Sequence, residues 1–253
     1  MKICFIVGYP LNNPRSVSIW RDFFKKKKIK ASMNPLELKT EKIKKFIQKI
    51  KKNKNFLAAA VTMPLKTKLF QYVVPGDLVA RKSKSINLII KNEGKLYGYN
   101  TDILALLNFI KKDNLKNILI IGLGGVGNAL FNYLSLNKKI KVKAISRKKN
   151  KNKNIYNNFN KIDFKKKITI VNCTPLGSNL KNIFLNRSPI PEKFFGAIHK
   201  DSFIFDIIYK PKKTKLLRLC KKYQLKSING LRMNSLQAKI ALKKIQKVIR
   251  LKK

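Results

Sequence analysis

The hydrophobic positions of the chain form short apolar runs that alternate with amphipathic stretches. Runs of buried-strand length occupy residues 2–7, 56–61, 117–121, 140–146, 168–172 and 203–208. Apolar residues recur at helical spacing in residues 19–28, 40–52, 102–112, 129–134, 214–223 and 233–251. Strands that alternate with helices are typical of a parallel, doubly wound sheet, so the predicted fold class is α/β.

Turn-forming residues refine the boundaries of these elements. Two strands at residues 85–90 and 95–99 are predicted to form a hairpin, because the Asn-Glu-Gly sequence at 92–94 suits a tight turn. Helices are predicted to begin at three residues with capping or starting chemistry: Thr40, Pro64 and Thr101. Residues 148–167 are low in complexity and predict an irregular surface connection with partial helix.

A glycine-rich turn follows the strand predicted at 117–121. It reads Gly122-Leu123-Gly124-Gly125-Val126-Gly127 and opens directly into a helical pattern. Glycines let the backbone turn tightly and approach a pyrophosphate, and the N–H groups at the start of a helix attract its negative charge. The strand predicted at 140–146 completes a βαβ unit. We therefore predict a dinucleotide site, the alternative being a tight strand-to-helix turn that binds nothing.

The residues after the second strand of this unit distinguish the two nicotinamide dinucleotides. An NAD site places Asp or Glu at this strand end, whereas this chain carries Ser146-Arg147-Lys148-Lys149. The planar guanidinium of Arg147 suits a 2′-phosphate, so the predicted cofactor is NADP. The alternative is that a basic residue stands here by chance in a lysine-rich chain, which applies less to Arg147 because arginine is scarce.

The net charge of the chain is strongly positive. In 253 residues, 59 Lys and Arg face 11 Asp and Glu, giving a formal charge of +48. Such a charge often indicates a nucleic-acid partner. However, 51 of the basic residues are lysines, spread along the chain among many Asn and Ile residues, whereas base-reading surfaces favour arginine. We favour lysines on solvated faces, with weak non-specific binding to polyanions and no specific nucleic-acid partner.

Cysteine usage and hydropathy indicate the compartment. The three cysteines, Cys4, Cys173 and Cys220, are far apart and form no C-x-x-C, so neither a disulfide framework nor a metal site is predicted. No apolar run approaches the ~18 residues of a membrane helix. The first apolar run is broken by Gly8 and Pro10, too early for a signal peptide. We expect a cytoplasmic protein without membrane association.

Several separated motifs together resemble the shikimate dehydrogenase family. They are Gly8-x-Pro10 with Ser16, residues 61–66 (VTMPLK), Ile86-Asn87, residues 100–102 (NTD), the glycine turn, residues 172–177 (NCTPLG), residues 206–211 (DIIYKP), and Gly230-x-x-Met233-x-x-x-Gln237-Ala238. The resemblance implies two domains: a substrate-binding domain of residues 1–101 completed by a C-terminal helix at 233–253, and an NADP-binding Rossmann domain of residues 102–232. The implied reaction is the reversible, NADPH-dependent reduction of 3-dehydroshikimate to shikimate, carried out by a monomer or homodimer.

The same resemblance implies roles for individual residues. Lys66 and Asp102 match the family's catalytic pair, in which an ammonium relays a proton and a carboxylate orients it; the alternative is a surface ion pair. Implied substrate contacts are Ser16, Thr62, Asn87, Asp102, Tyr209 and Gln237. Implied cofactor contacts, besides the glycine turn, Ser146 and Arg147, are Thr174, Ile207, Gly230 and Met233. The alternatives without a functional role are surface amides for Asn87 and Gln237, and side-chain packing for Tyr209, Ile207 and Met233. His199 matches no motif and is predicted to lie at the surface.

Two positions depart from the family pattern. Its first loop carries His-Ser-x-Ser-Pro, whereas this chain has Asn13-Pro14-Arg15-Ser16-Val17, and Ala60 replaces an Asn. Arg15 is a candidate replacement for the lost contacts, or it points to solvent. Two competing hypotheses remain open: a catalytically degraded relative that keeps the fold, and a basic nucleic-acid-binding protein on the same scaffold.

Overall fold

The chain folds into two compact units. The computed structural model describes residues 1–12, 14–110, 116–147, 150–180 and 182–250. One unit comprises Met1–Ala105 together with the chain from Leu236 onward, and the other comprises Leu106–Ser235. None of the helices within these ranges combines the length and apolar character needed to cross a bilayer.

The first unit contains a mixed sheet. Its strands are β1 (Lys2–Gly8), β2 (Ala31–Glu37), β3 (Phe56–Val61), β4 (Val74–Pro75), β5 (Leu88–Asn92) and β6 (Lys95–Tyr99). Their order among the described residues is β2-β1-β3-β5-β6-β4. β1 runs parallel to β2 and β3, whereas β5 is antiparallel to β3 and β6. The predicted β5–β6 hairpin is confirmed, and positive φ at Glu93 and Gly94 gives its tight turn.

Helices cover both faces of this sheet. The helices of this unit are α1 (Ser16–Lys26), α2 (Ile43–Lys52), α3 (Leu78–Ser83), the start of α4 (Thr101–Phe109) and most of α8 (Leu231–Arg250). Because successive side chains of a strand point to opposite faces, β1 and β3 contribute to two cores. One core includes Trp20 and Phe24 of α1 with Ile245 of α8, and the other includes Phe46 and Ile50 of α2.

The second unit contains a parallel sheet. Its strands are β7 (Asn117–Ile121), β8 (Lys141–Ile145), β9 (Ile155–Tyr156), β10 (Thr169–Asn172), β11 (Phe203–Asp206) and β12 (Lys226–Asn229), and its helices are α5 (Gly125–Ser135), α6 (Asn182–Leu185) and α7 (Lys215–Lys222). The strand order is β12-β11-β10-β7-β8-β9, with every recorded pairing parallel. This is the Rossmann order, in which β7 and β10 flank the switch point. The fold class predicted from the sequence is confirmed.

The structure corrects the three predicted helix starts. Thr40 begins a single 3-10 turn, without a side-chain cap, before α2 starts at Ile43. Pro64 begins no helix; the turn after β3 leads to a 3-10 turn at Phe70–Tyr72. Thr101 is the first helical residue of α4 rather than its cap, and the predicted end of this helix at residue 112 lies outside the described residues.

The segment predicted as an irregular surface connection is partly core. Within the described residues 150–167 it forms β9 and turns but no helix. Phe159, Ile162 and Phe164 are buried in the core of the second unit. The many Lys and Asn residues of the whole segment hid these three apolar positions, whose spacing follows neither a strand nor a helix.

Candidate active site

Lys66 and Asp102 form an ion pair in the first unit. Lys66 lies in the turn that follows β3, and Asp102 is the second residue of α4. Lys66 Nζ donates to Asp102 Oδ2 at 2.7 Å, and the two side chains are 15% and 13% exposed. These exposed fractions are lower than those of an ordinary surface ion pair, which is well solvated and contributes little to stability. An ammonium held this way has further N–H groups available for a substrate oxygen.

The turn that carries Lys66 is held by backbone contacts. Thr62 N donates to Val7 O at 2.9 Å, and Ile86 N donates to Lys66 O at 2.9 Å. A Cβ on Gly8 would overlap the Thr62 methyl group, so a glycine lets β1 end directly against this turn. Thr62, which begins the same turn, is half-buried.

Asn100 positions the start of α4 and hence Asp102. Its Oδ1 accepts from Ile103 N at 3.1 Å, which is an N-cap contact. Its Nδ2 donates to Ser83 Oγ at 3.2 Å and to Ser85 O at 3.1 Å. Sequence reasoning missed this role, although Asn directly before a helix is a recognised capping signal.

Asn87, Thr101 and Gln237 form a hydrogen-bonded cluster in the same unit. Thr101 N donates to Asn87 Oδ1 at 2.7 Å, which fixes the orientation of this amide. Asn87 Nδ2 then donates to Thr101 Oγ1 at 2.9 Å and to Gln237 Oε1 at 3.3 Å. With Gln237 Oε1 used in this way, its Nε2 group is left as a donor. The cluster thus presents the amide of α8 in a defined orientation.

Ser16 is the first residue of α1 and is half-buried. Helix α1 has no side-chain N-cap and no acidic residue in its first turn. Arg15, immediately before it, is exposed. This helix start therefore combines positive charge with backbone N–H groups, an arrangement that favours a carboxylate.

The glycine turn joins β7 to α5 at the carboxyl edge of the second sheet. Gly122 has a φ of +90°, and a Cβ there would lie 2.5 Å from the Thr174 methyl group. A Cβ on Gly127 would overlap the Gly122 carbonyl oxygen. Gly124 and Gly125 instead face open space, with nothing within 4 Å of an added Cβ. The turn thus meets the requirements of a dinucleotide site: a tight bend, close helix packing and open backbone for a pyrophosphate.

The start of α5 adds electrostatic attraction to this turn. Its N-cap residue is Gly124, which has no side chain to cap the helix, and its first turn contains no acidic residue. The half-buried Val126 stands in this first turn. The N-terminal partial charge of the helix is therefore available to a phosphate group.

A buried polar group lies behind the loop that follows β10. Asp206 Oδ1 accepts from Asn172 Nδ2 at 2.9 Å, and Asp206 Oδ2 accepts from Thr214 Oγ1 at 2.6 Å. Asn172 Oδ1 in turn accepts from Thr174 N at 2.9 Å and from Thr174 Oγ1 at 2.7 Å. Burial raises the pKa of Asp206, against the opposing effect of hydrogen bonds from Thr214, the Ile208 backbone and Asn172.

The predicted 2′-phosphate residues follow β8. Ser146 is half-buried, and its N–H donates to Tyr156 O at 2.8 Å, whereas Arg147 is exposed. Lys148 and Lys149 lie outside the described residues. The end of the second strand of a Rossmann sheet is where the ribose that carries the 2′ group binds. Arg147 is accordingly on the right strand end for the predicted role.

The remaining predicted nucleotide contacts cluster near the ends of β11 and β12. A Cβ on Gly230 would overlap the Ile207 carbonyl oxygen, so the glycine permits close approach of the two segments. Ile207 is half-buried and Met233 is 7% exposed. Tyr209, a predicted substrate contact, is half-buried. His199 is exposed, as predicted. The described residues contain no cluster of potential metal ligands.

The sequence is similar to known proteins over nearly its whole length. A family model described as the shikimate dehydrogenase substrate binding domain matches residues 6–89. A shikimate dehydrogenase (NADP(+)) of Clostridium botulinum is 33% identical over 254 residues, covering 94% of this chain and 93% of the relative. The chain belongs to the shikimate dehydrogenase family.

Solved shikimate dehydrogenase structures share the fold. The one from Peptoclostridium difficile is 26% identical, covers 98% of this chain and 92% of its own, and has a TM-score of 0.77. Another, in complex with NADP+, is 25% identical, covers 96% of this chain and 89% of its own, and has a TM-score of 0.77. The likeness covers nearly the whole of this chain.

The two departures from the shikimate dehydrogenase pattern lie in the first unit. Pro14 is half-buried, and its carbonyl oxygen accepts from Val17 N at 3.0 Å, which supports the start of α1. Ala60 is half-buried on β3, opposite Leu88 of β5. Neither side chain supplies a hydrogen-bonding group where the family pattern has one, and Asn13 lies outside the described residues.

Proposed function

We propose that the protein is an NADP-dependent shikimate dehydrogenase that catalyses the reversible reduction of 3-dehydroshikimate to shikimate. The observation that carries the proposal is the Lys66–Asp102 pair, 2.7 Å apart and largely shielded from water. The family membership and the NADP(+)-dependent activity of the relatives support it. The presence of both this ion pair and the hydrogen-bonded Asn87–Thr101–Gln237 cluster argues against a catalytically degraded relative.

Lys66 and Asp102 would supply the proton that the substrate oxygen gains during reduction. NADPH, when bound, supplies the hydride that reduces the carbonyl carbon. We assign the Lys66 ammonium to donate a hydrogen bond to the carbonyl oxygen and to transfer a proton to it, so that the ketone becomes an alcohol. Asp102 holds the ammonium through Oδ2, and solvent restores the proton to Lys66. In the reverse direction, neutral Lys66 accepts the proton of the substrate hydroxyl.

Substrate recognition would use the polar groups of the first unit. The Nε2 group of Gln237 is oriented by the Asn87–Thr101 contacts, so it can donate to a ring hydroxyl. Asn87, Thr62 and Asp102 would make further polar contacts, and Tyr209 is proposed from its motif position alone. The uncapped start of α1, with Ser16 and Arg15, would bind the carboxylate.

The second unit fits NADP. The open positions at Gly124 and Gly125 leave room for the pyrophosphate, and the start of α5 supplies N–H groups and positive potential. Arg147 would bind the 2′-phosphate through two parallel hydrogen bonds. Thr174, held against Gly122, would border the same site, with Ser146, Ile207, Gly230 and Met233 as further contacts from their motif positions.

The experiment that tests the proposal is an absorbance assay. Purified protein is mixed with NADP and shikimate, and formation of NADPH is followed in the near ultraviolet. We expect shikimate-dependent NADPH formation that is much slower with NAD. Absence of turnover with shikimate and with quinate, despite binding of NADP by calorimetry, would favour a degraded relative instead.

A further inference from the structure

A buried carboxylate with no part in the proposed chemistry lies at the end of β11, linked through two side chains to the glycine turn of the second unit. Asp206, Asn172 and Thr214 are each fully buried, and they connect through hydrogen bonds to Thr174. We infer that Asp206 is a positioning residue for nucleotide binding, acting through Asn172 to hold Thr174 against the glycine turn. The inference rests on the proposed function.

Asp206 dictates which way the Asn172 amide faces. Asp206 Oδ1 accepts both from Asn172 Nδ2 at 2.9 Å and from Ile208 N at 3.1 Å, so this oxygen acts as an acceptor. The NH2 group of Asn172 must therefore point to Asp206, which turns its oxygen towards Thr174. Without Asp206 the amide could rotate and present a donor to the Thr174 N–H, which is repulsive.

The orientation of Asn172 in turn sets the position of Thr174. Asn172 Oδ1 accepts from both the backbone N–H and the hydroxyl of Thr174, at 2.9 and 2.7 Å. These two hydrogen bonds fix both the backbone and the side chain of Thr174. The methyl group of Thr174 lies 2.5 Å from where a Cβ on Gly122 would be. Thr174 is therefore in direct contact with the first glycine of the turn. The side chains of Asp206, Asn172 and Thr174 form a continuous link to that turn, in addition to the backbone pairing of β11, β10 and β7.

The protonation state of Asp206 does not alter this arrangement. A proton on the carboxyl would reside on Oδ2, because Oδ1 already faces two N–H donors. Oδ2 faces the Thr214 hydroxyl, which can accept as well as donate. In Asp206→Asn, the amide oxygen can take the place of Oδ1 and the amide NH2 group can donate to Thr214. This variant should keep the orientation of Asn172.

Calorimetric titration of NADP into the full-length protein tests the inference. Asp206→Ala is expected to raise the Kd for NADP by about five- to tenfold, as the loss of one or two hydrogen bonds implies. Asp206→Asn should stay within about twofold of wild type. Hydrogen exchange of the free proteins should show faster exchange at residues 122–127 in Asp206→Ala but not in Asp206→Asn.

Two further variants keep the test decisive. Asn172→Ala breaks the link while leaving the Asp206–Thr214 contact, so it should weaken NADP binding as Asp206→Ala does and decides the matter if Asp206→Ala does not fold. Thr214→Val removes the hydroxyl that contacts Asp206 Oδ2 and caps α7. It should lower the thermal midpoint with the Kd for NADP within about twofold of wild type.

The outcomes separate this inference from the proposed function. Wild-type protein that does not bind NADP would overturn both. Wild-type binding with an unchanged Kd in Asp206→Ala or Asn172→Ala would overturn the inference alone. An equal loss of affinity in Thr214→Val would show general loosening of the unit and would also overturn it.

Discussion

Replacing Lys66 by Met removes the ammonium and keeps an unbranched four-atom apolar stem. The Nζ atom lies 2.7 Å from Asp102 Oδ2, and 15% of the Lys66 side chain is exposed, so water can replace the proton donor only poorly. Loss of a general acid–base group lowers kcat by about 10²–10⁴, which corresponds to about 3–5 kcal/mol in the barrier. We expect kcat for shikimate oxidation to fall by this amount.

The same substitution has a smaller effect on stability. At an effective dielectric constant of about 20, the attraction across 2.7 Å is about 6 kcal/mol, most of which is offset by the hydration that both charged groups lose when the chain folds. We expect the free energy of unfolding to fall by about 1–2 kcal/mol. The Kd for NADP should be unchanged, because the glycine turn belongs to the other unit.

Steady-state kinetics, urea unfolding and NADP calorimetry together check this prediction. Lys68→Met is the matched control, because Lys68 is two residues away and exposed, and its Nζ donates to Thr40 Oγ1 rather than to a carboxylate. Lys68→Met should retain the wild-type kcat. A Lys66→Met enzyme within about threefold of the wild-type kcat, or an equal loss in Lys68→Met, would refute the assignment of the proton donor.

Arg147→Ala is expected to raise the KM for NADP by about tenfold or more with little effect on NAD, because it removes a charge-assisted contact; equal effects on both cofactors in steady-state assays would count against the role. Arg15→Ala should raise the KM for shikimate by about fivefold or more and leave the KM for NADP unchanged; an unchanged KM for shikimate would show that Arg15 does not reach the substrate. Lys244→Met should lower the free energy of unfolding by about 1–2 kcal/mol in urea, because Lys244 Nζ lies 3.2 Å from Asp77 in a partly buried pair; an unchanged midpoint would contradict this. The raised pKa of Asp206 means that the native state holds its proton more tightly than the unfolded state, so the stability from this group is present at acid pH and is lost as pH rises through the native pKa. The stability of Asp206→Asn relative to wild type should therefore increase as pH rises above the unfolded value of 3.8, and parallel pH profiles in urea unfolding would contradict the assignment.

The fold of the second unit could be predicted largely from the sequence. Its central strands are continuous apolar runs because they are buried on both faces, and the glycines of the turn after β7 are local requirements of backbone geometry. The role of Arg147 was predicted from its position just after the end of β8. Each of these signals lies within a few consecutive residues, so it survives in the sequence without knowledge of the fold.

The edge strands could not be predicted in this way. β2 buries Met33 alone and contains Pro35, and β12 has no fully buried residue. Both lie at the edge of a sheet, where one side of the strand makes no pairing and proline is tolerated. Their place was decided by the neighbouring strand, not by their own hydrophobic pattern.

The candidate site shows the same contrast between local sequence signals and contacts made only in the folded protein. The motifs marked Lys66 and Asp102 individually, but their 2.7 Å contact depends on β3 and α4 being brought together in the folded first unit. Asn87 and Gln237 are 150 residues apart in sequence and share a hydrogen bond, and Asn172 reaches Asp206 across 34 residues. Residue type and local spacing determined which chemistry this chain carries. Only the tertiary structure decided which amide faces which carboxylate, because hydrogen-bond direction depends on atoms that the chain brings together over long sequence distances.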